Sequence, residues 1–185
     1  MDGTKLVVTL IATACAAALA GCGEEKPKPK PAAEASKAAP PPSIEIKIGH
    51  VGPLTGGIAH LGKANENGAR LAVEEANAAK IKIDGKDAKF TFVGEDDQAD
   101  PKVGTTVAQK LVDAKVNGVV GHLNSGTSIP ASKIYSDAGI PQISPSATNP
   151  KYTRQGYKTT FRVVADDVHL GCTLGRYAVK DLKGK

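Results

Sequence analysis

The 185-residue sequence contains no tryptophan and only three phenylalanines and four tyrosines. Proteins that hold single-stranded nucleic acid commonly stack its bases on aromatic side chains beside a basic groove. The formal net charge is +5, but the charges are spread along the chain and are not interleaved with aromatic residues. The composition therefore argues against nucleic acid as a partner.

Cysteine is also scarce, with Cys15, Cys22 and Cys172 the only three. Cys15 lies inside the first apolar run and Cys22 directly after it. If the first is removed with a leader and the second is modified, Cys172 is the one remaining thiol. No internal disulfide can then form, although an exported protein would be allowed one.

The first segment predicts export. Lys5 precedes the apolar run LVVTLIATACAAALA, which has about the length of a signal-peptide core and is shorter than the ~20 residues of a membrane-spanning helix. The run leads into LAGC (Leu19–Cys22), which resembles the lipobox of bacterial lipoproteins, where the cysteine is acylated and the chain is cut just before it. We expect a signal peptide over residues 1–21 and a lipid anchor on Cys22, in the periplasm or at the cell surface. An ordinary secretory peptide cut elsewhere is the alternative.

Residues 22–43 differ abruptly in composition and include the stretch GEEKPKPKPAAEASKAAPPPS. Repeated Lys-Pro and Ala leave nothing to bury, and proline favours an extended backbone. Three glutamates nearly balance the lysines, which disfavours a basic nucleic-acid tail. This segment is predicted to be a tether.

Residues 44–185 are enough for one domain, and apolar periodicity predicts alternating strands and helices in it. Such alternation predicts an α/β fold with a doubly wound, mainly parallel sheet. Asp100 followed by Pro101 is typical of a helix N-cap and first turn. The predicted strands are residues 44–51, 88–96, 116–121, 139–144 and 159–164, and the predicted helices are 63–79, one starting after Asp100, one near 129–138 and one from about 166 to 182.

Three small, polar loops follow predicted strands: Gly52–Gly62, Gly121–Ser128 and Ser144–Thr148. In doubly wound sheets, ligands bind outside the carboxyl ends of the strands, where the strand order reverses. We therefore expect the three loops to converge on one site.

Several chemistries fit these loops poorly. GIAHLGKA (Gly57–Ala64) has P-loop spacing but ends in alanine where a nucleotide site needs Ser or Thr for magnesium. Ser125 lies near His122, but no G-x-S-x-G elbow surrounds it, so an acyl hydrolase is disfavoured and His122 is interpreted as a buried or loop-capping residue. The other histidines lack metal-ligand spacing. The carboxylates at positions 95, 96, 97 and 100 are interpreted as helix-capping, and neither a metal, a cofactor nor an enzymatic activity is predicted.

A carboxylate suits the loops better. A loop that enters a helix offers free backbone N–H groups and the positive end of the helix dipole. The hydroxyls of Ser125, Thr127 and Thr148 add donors without adding positive charge. The alternative is that Ser125–Ser128 merely cap the next helix.

Five stretches, in this order and with matching gaps, resemble one family: GPLTGGIAHLGKANENGARLAVEEAN, DDQADP, GHLNSGTSIPAS, ISPSATNP and FRVVADD. They are similar to the leucine/isoleucine/valine-binding proteins of ATP-driven importers, which have the type I periplasmic binding fold. The resemblance implies two α/β lobes that close on an amino acid, delivered to a membrane permease by a monomeric receptor. It implies that Ser125 and Thr148 bind the ligand carboxylate, that the carbonyl of Ser146 accepts from the ammonium, and that the remaining ligand-binding positions are Leu61, Leu123, Asn124 and Ala147.

Two departures from that family pattern stand out. Familiar members join the positions of Ala99 and Asn124 by a disulfide, which this sequence cannot form, so the loop must be held in another way. Leu61 stands where several members carry an aromatic residue. The resemblance also implies that residues 44–185 are the first lobe, interrupted before the second, which would leave a sheet edge unfinished. An extracytoplasmic sensing module of the same fold is the competing function.

Overall fold

The computed structural model describes residues 42–184. The predicted signal peptide, Cys22 and nearly all of the predicted tether lie outside these residues. The elements are β1 Ser43–Gly52, α1 Ala59–Ala78, β2 Lys82–Ile83, β3 Lys86–Asp96, α2 Pro101–Asp113, β4 Gly118–Gly121, α3 Ser125–Asp137, β5 Gln142–Ser144, a 3₁₀ turn at Pro150–Thr153, β6 Thr160–Arg162 and α4 Asp167–Lys180.

The six strands form one sheet in the order β2-β3-β1-β4-β5-β6. All neighbouring pairs are parallel except β2 with β3. Along the chain, β2 and β3 are added on one side of β1, and β4, β5 and β6 are then added on the other side. This reversal confirms the predicted doubly wound, mainly parallel α/β sheet.

Helices cover both faces of the sheet, because successive side chains of β1 point to opposite faces. Val51 lies in a buried core with Leu111 of α2, Val119 of β4 and Tyr135 of α3. Ile48, three residues earlier, faces the opposite side and lines an apolar groove of about 240 Å³ beneath α1. Within residues 42–184, no helix combines the length and apolar composition needed to cross a bilayer.

Two predicted helix starts are wrong by one turn. Helix α1 begins at Ala59 rather than residue 63, so the predicted Gly52–Gly62 loop ends at Ile58. Helix α3 begins at Ser125 rather than near Ile129, so half of the predicted Gly121–Ser128 loop is helical. The small polar residues of this segment have weak helix propensity, but their hydroxyls bond locally to preceding carbonyls and the helix is retained.

Short strands account for most of the other differences. β4, β5 and β6 have only four, three and three residues because each pairs over a short register with its neighbours. The sequence analysis missed β2 and the 3₁₀ turn. β2 joins β3 through Asp84 and Gly85, which both have positive φ angles, as a two-residue hairpin turn requires.

Candidate functional site

The candidate site lies at the carboxyl ends of β1, β4 and β5, on the edge where the strand order reverses. Hydrogen bonds join the segments that follow β4 and β5. The Ser125 Oγ accepts from the Asn149 amide at 3.1 Å, and the Ser146 Oγ donates to the Leu123 carbonyl at 2.6 Å. These two loops therefore converge as predicted.

The N-terminus of α3 presents free donors. Asn124 is the N-cap, but its side chain accepts no hydrogen bond from the helix. The Thr127 and Ser128 amides donate to the Asn124 carbonyl, whereas the Ser125 and Gly126 amides have no partner among residues 42–184. The Ser125 hydroxyl uses its oxygen to accept from Asn149, so its proton is free to donate. Three donors thus lie together at the N-terminus of α3, at the positive end of the helix dipole.

The hydroxyls of Thr127 and Ser128 do not cap α3, and the expectation that the Thr127 hydroxyl is a free donor is wrong because Thr127 is fully buried and donates within the protein. Thr127 Oγ1 donates to the Asn124 carbonyl at 3.0 Å, and Ser128 Oγ donates to the His122 carbonyl at 3.1 Å. A cap must instead accept from a first-turn amide. These hydroxyls fix the approach to the helix and leave its first amides available.

The loop after β5 is held largely through its backbone. The Ala147 amide donates to Ser144 Oγ at 2.9 Å, and Ala147 itself is completely buried. The Thr148 carbonyl accepts from the Asp167 amide at the start of α4. No hydrogen bond to the Thr148 amide or hydroxyl comes from the described part of the chain. Thr148 therefore keeps two donors, while Ala147 is a buried support beside it.

Arg162 of β6 was missed from the sequence although it holds this loop. Its guanidinium donates to the Ala147 carbonyl at 2.8 Å, to the Asn149 carbonyl at 3.0 Å and to Thr153 Oγ1 at 2.7 Å. Most of these partners are backbone carbonyls, which carry no sequence signal. The residue could be found only from the structure.

The loop after β1 is tied to β3 and not to the other two loops. Asp96 accepts from the Leu54 amide at 2.8 Å and from Thr55 Oγ1 at 2.5 Å. Burial on its own would raise the pKa of Asp96, but the Thr55 hydroxyl and nearby amides lower it. Leu61, on the first turn of α1, is 46% exposed. The structure thus places Leu61 on the same edge of the sheet, without direct hydrogen bonds between its loop and the α3 N-terminus.

The carboxylates at positions 95, 96, 97 and 100 have different partners. Asp100 caps α2 by accepting from the Lys102 and Val103 amides, which confirms its predicted role. Glu95 pairs with Lys110 instead of capping. Asp97 is fully buried, and its Oδ2 lies 2.8 Å from Nδ1 of His122. Burial would raise the pKa of Asp97, but the hydrogen bonds from His122 and from the Ala99 amide hold it below its usual value.

This buried pair explains how the loops are held without a disulfide. Asp97 lies two residues before Ala99, and His122 lies two residues before Asn124. Nε2 of His122 lies 3.2 Å from Oη of Tyr135, so both ring nitrogens are engaged and neither is bonded to Ser125. A serine–histidine nucleophile pair is therefore not formed. Residues 42–184 contain no group of three His, Cys, Asp or Glu side chains that could hold a metal ion.

The chain is similar to proteins of known sequence and structure. A family model described as periplasmic binding protein matches residues 45–185. The leucine-specific-binding protein of Salmonella typhimurium is 41% identical over 139 residues, which is 75% of this chain and 37% of that protein. Substrate-binding protein LivJ of Streptococcus pneumoniae, solved with isoleucine, superposes with a TM-score of 0.68 at 35% identity, covering 76% of this chain and 39% of LivJ.

A further solved structure, an ABC transporter substrate-binding protein of Desulfitobacterium hafniense in complex with leucine, has a TM-score of 0.64 at 36% identity. The match covers 74% of this chain and 39% of that one. The chain thus spans less than two fifths of the length of the proteins it matches.

Proposed function

Because the chain belongs to the periplasmic binding protein family, we propose that it is the amino-acid-binding part of an extracytoplasmic receptor that delivers branched-chain or related amino acids to an ABC permease. The observation that carries the proposal is the group of unpartnered donors where α3 begins. The Ser125 and Gly126 amides, the Ser125 hydroxyl and the Thr148 amide and hydroxyl donate to no partner among residues 42–184, and the bond from the Asn149 amide to Ser125 Oγ brings their two segments together.

This arrangement suits the carboxylate of a free amino acid. Backbone amides at a helix N-terminus stabilise one negative charge without a full cation nearby. In our proposal, Ser125 and Thr148 bind the carboxylate and the Ser146 carbonyl accepts from the ammonium. Leu61, Leu123 and Asn124 contact the ligand side chain, and Ala147 supports the loop from beneath. The relatives solved with isoleucine and leucine support this choice of ligand class.

We also propose that residues 1–21 are a signal peptide, that Cys22 carries the lipid anchor and that residues 22–43 form the tether. Residues 44–185 would be the first lobe of a two-lobed monomer. The exposed apolar side chains of α4 support this division, because α4 buries none of its residues within the described chain. They include Leu174 (66% exposed) and Val179 (64%), which a second lobe would cover.

The test is calorimetry with leucine on the protein expressed from the reading frame extended past Lys185. A hydrogen bond to a charged group contributes about 1.5–3 kcal/mol, so Ser125→Ala should weaken binding by about tenfold to a hundredfold. Ser136→Ala, on the last turn of the same helix, is the matched control and should leave affinity unchanged. Leucinol, which lacks the carboxylate, should bind far more weakly than leucine. Equal affinity for the two ligands, or no effect of Ser125→Ala, would refute the proposed site.

A further inference from the structure

Three buried side chains from three elements form a continuous hydrogen-bonded row behind the candidate site. Nδ1 of His122 lies 2.8 Å from Oδ2 of Asp97, and Nε2 lies 3.2 Å from Oη of Tyr135. All three residues are completely shielded from solvent. Asp97 follows β3, His122 follows β4 and Tyr135 lies in α3, so the row crosses the base of the site.

The hydrogen-bonding capacity of each group fixes where the protons lie. An ionised carboxylate only accepts, so Nδ1 of His122 must carry a hydrogen. Among residues 42–184, Tyr135 Oη has no hydrogen-bond partner except His122, so its proton must go to Nε2. The opposite arrangement, with Nε2 protonated, would leave a buried hydroxyl proton without an acceptor, which is unfavourable.

The ionisation of the groups around the ring determines which of them can donate to it. Burial raises the pKa of Tyr135 well above its ordinary value, so its phenol stays protonated. The Asp97 pKa is lowered, so one negative charge faces the ring. From β1, the buried His50 has a pKa that burial lowers, and Glu95 at the end of β3 acts on Tyr135 through its charge.

The backbone of His122 connects this row to both halves of the site. Its carbonyl accepts from Ser128 Oγ in α3 at 3.1 Å and from Ser144 Oγ at the end of β5 at 2.7 Å. Ser144 Oγ in turn accepts from the Ala147 amide. The position of one carbonyl therefore sets the distance between the first turn of α3 and the loop that carries Thr148.

We propose that His122 is a positioning residue whose neutral Nδ1–H tautomer, held between Asp97 and Tyr135, fixes the α3 N-terminus against the Ser144–Thr148 loop. The tautomer stands on the geometry alone. Its consequence for ligand affinity rests on the proposed function.

The tautomer can be measured directly by long-range ¹H–¹⁵N correlation spectra of the chain labelled at histidine, recorded at neutral pH. We expect one of the four imidazoles to show the Nδ1–H form and to disappear in His122→Gln. A wild-type His122 signal that is Nε2–H would overturn the proposal.

Asp97→Asn supplies a sharper signature, because its effect on the tautomer can be predicted. The Ala99 amide donates to Oδ1 of Asp97 at 3.0 Å and will hold the carboxamide oxygen there, which turns the NH₂ group toward His122. Nδ1 must then accept, the proton moves to Nε2 and Tyr135 Oη becomes the acceptor. Asp137→Asn, at an exposed ion pair with Lys133, is the matched control and should leave the tautomer unchanged.

The positioning role has its own readout. In Asp97→Asn we expect faster amide hydrogen exchange and shifted resonances at Ser128 and Ala147, which share no hydrogen bond with Asp97. Unchanged signals there would overturn the positioning role while leaving the tautomer established. If Asp97→Asn does not fold, Tyr135→Phe keeps the core volume and removes only the Nε2 partner. Nδ1–H should then persist with a shifted Nε2 resonance, and an unmoved Nε2 would overturn the proposal. Absence of leucine binding in the longer protein would refute the proposed function but not the tautomer.

Discussion

Gly62 and Gly68 of α1 offer a matched pair of substitutions that tests how closely the helix must approach the β1 loop. A Cβ added at Gly62 would lie 2.1 Å from the Pro53 carbonyl oxygen, against an ordinary contact of 3.4 Å or more. The helix and the loop would have to separate by about 1 Å, since the clashing atom belongs to the backbone. At Gly68 an added Cβ meets nothing within 4 Å.

The two alanine variants should therefore move stability in opposite directions. Replacing an exposed helical glycine by alanine contributes about 1 kcal/mol, so Gly68→Ala should be more stable by that amount. Gly62→Ala gains the same propensity but suffers overpacking of about 1–3 kcal/mol, and the rigid neighbour places it near the upper end, for a net loss of about 2 kcal/mol.

Urea unfolding followed by circular dichroism measures both variants under the same conditions. We expect their free energies of unfolding to differ by about 3 kcal/mol, or about 10 °C in melting temperature for a domain of this size. If Gly62→Ala is stabilised as much as Gly68→Ala, the close packing of α1 on Pro53 does not exist in solution. The placement of Leu61 beside the site would then be wrong as well.

Three further predictions concern one or two side chains each. His50 is 1% exposed, its ring nitrogens have no partner within residues 42–184, and burial lowers its pKa. The free energy of unfolding should therefore fall as the pH drops below about 6.5, by at most about 1.4 kcal/mol per pH unit. In pH-dependent urea titrations, His50→Gln should lose that slope, and an unchanged slope would assign it to another group. Asp100→Ala should cost about 1 kcal/mol in the same assay because the first amides of α2 lose their acceptor, whereas Asp100→Asn should cost much less. The double change Leu174→Gln and Val179→Gln should alter the melting temperature little, because α4 buries neither residue. It should also reduce self-association in sedimentation experiments, because it removes exposed apolar surface. A large drop in melting temperature would show that α4 packs on the lobe.

The sequence was sufficient for the architecture because apolar periodicity and capping residues are local signals. The Asp100–Pro101 pair marked the start of α2 correctly. Asp84-Gly85 is an equally local hairpin signal and could have revealed β2. The start of α3 could not be placed, because serine, threonine and glycine are typical of loops and their hydroxyls are satisfied only by carbonyls brought near by the fold.

The site was predictable only in part, for a related reason. Ser125 and Thr148 follow predicted strands of a mainly parallel sheet, whose carboxyl ends share one edge, so their common edge was predictable. The contacts of Arg162 and the partners of His122 lie across the sheet and depend on register, which periodicity does not determine. The resemblance to a family supplied positions for ligand contacts but gave no account of how the loop is held without the disulfide.

The carboxyl edge of the sheet and the face that packs on α1 differ in the groups that they leave without a protein partner. Around the site, the buried hydroxyls of Ser128, Ser144 and Thr127 are bonded to backbone carbonyls, although Asn124 Oδ1 is buried without a partner among residues 42–184. On the α1 face, the register instead aligns Val120 with Ile143 and Ile143 with Phe161, and the last two are 40% and 49% exposed. A rigid polar base can present donors to a ligand without any other part of the protein, whereas an apolar row of this kind is stable in water only when another surface covers it. We therefore expect the arrangement of donors at the α3 N-terminus to depend on residues 42–184 alone, and the apolar row on the α1 face to need a covering surface.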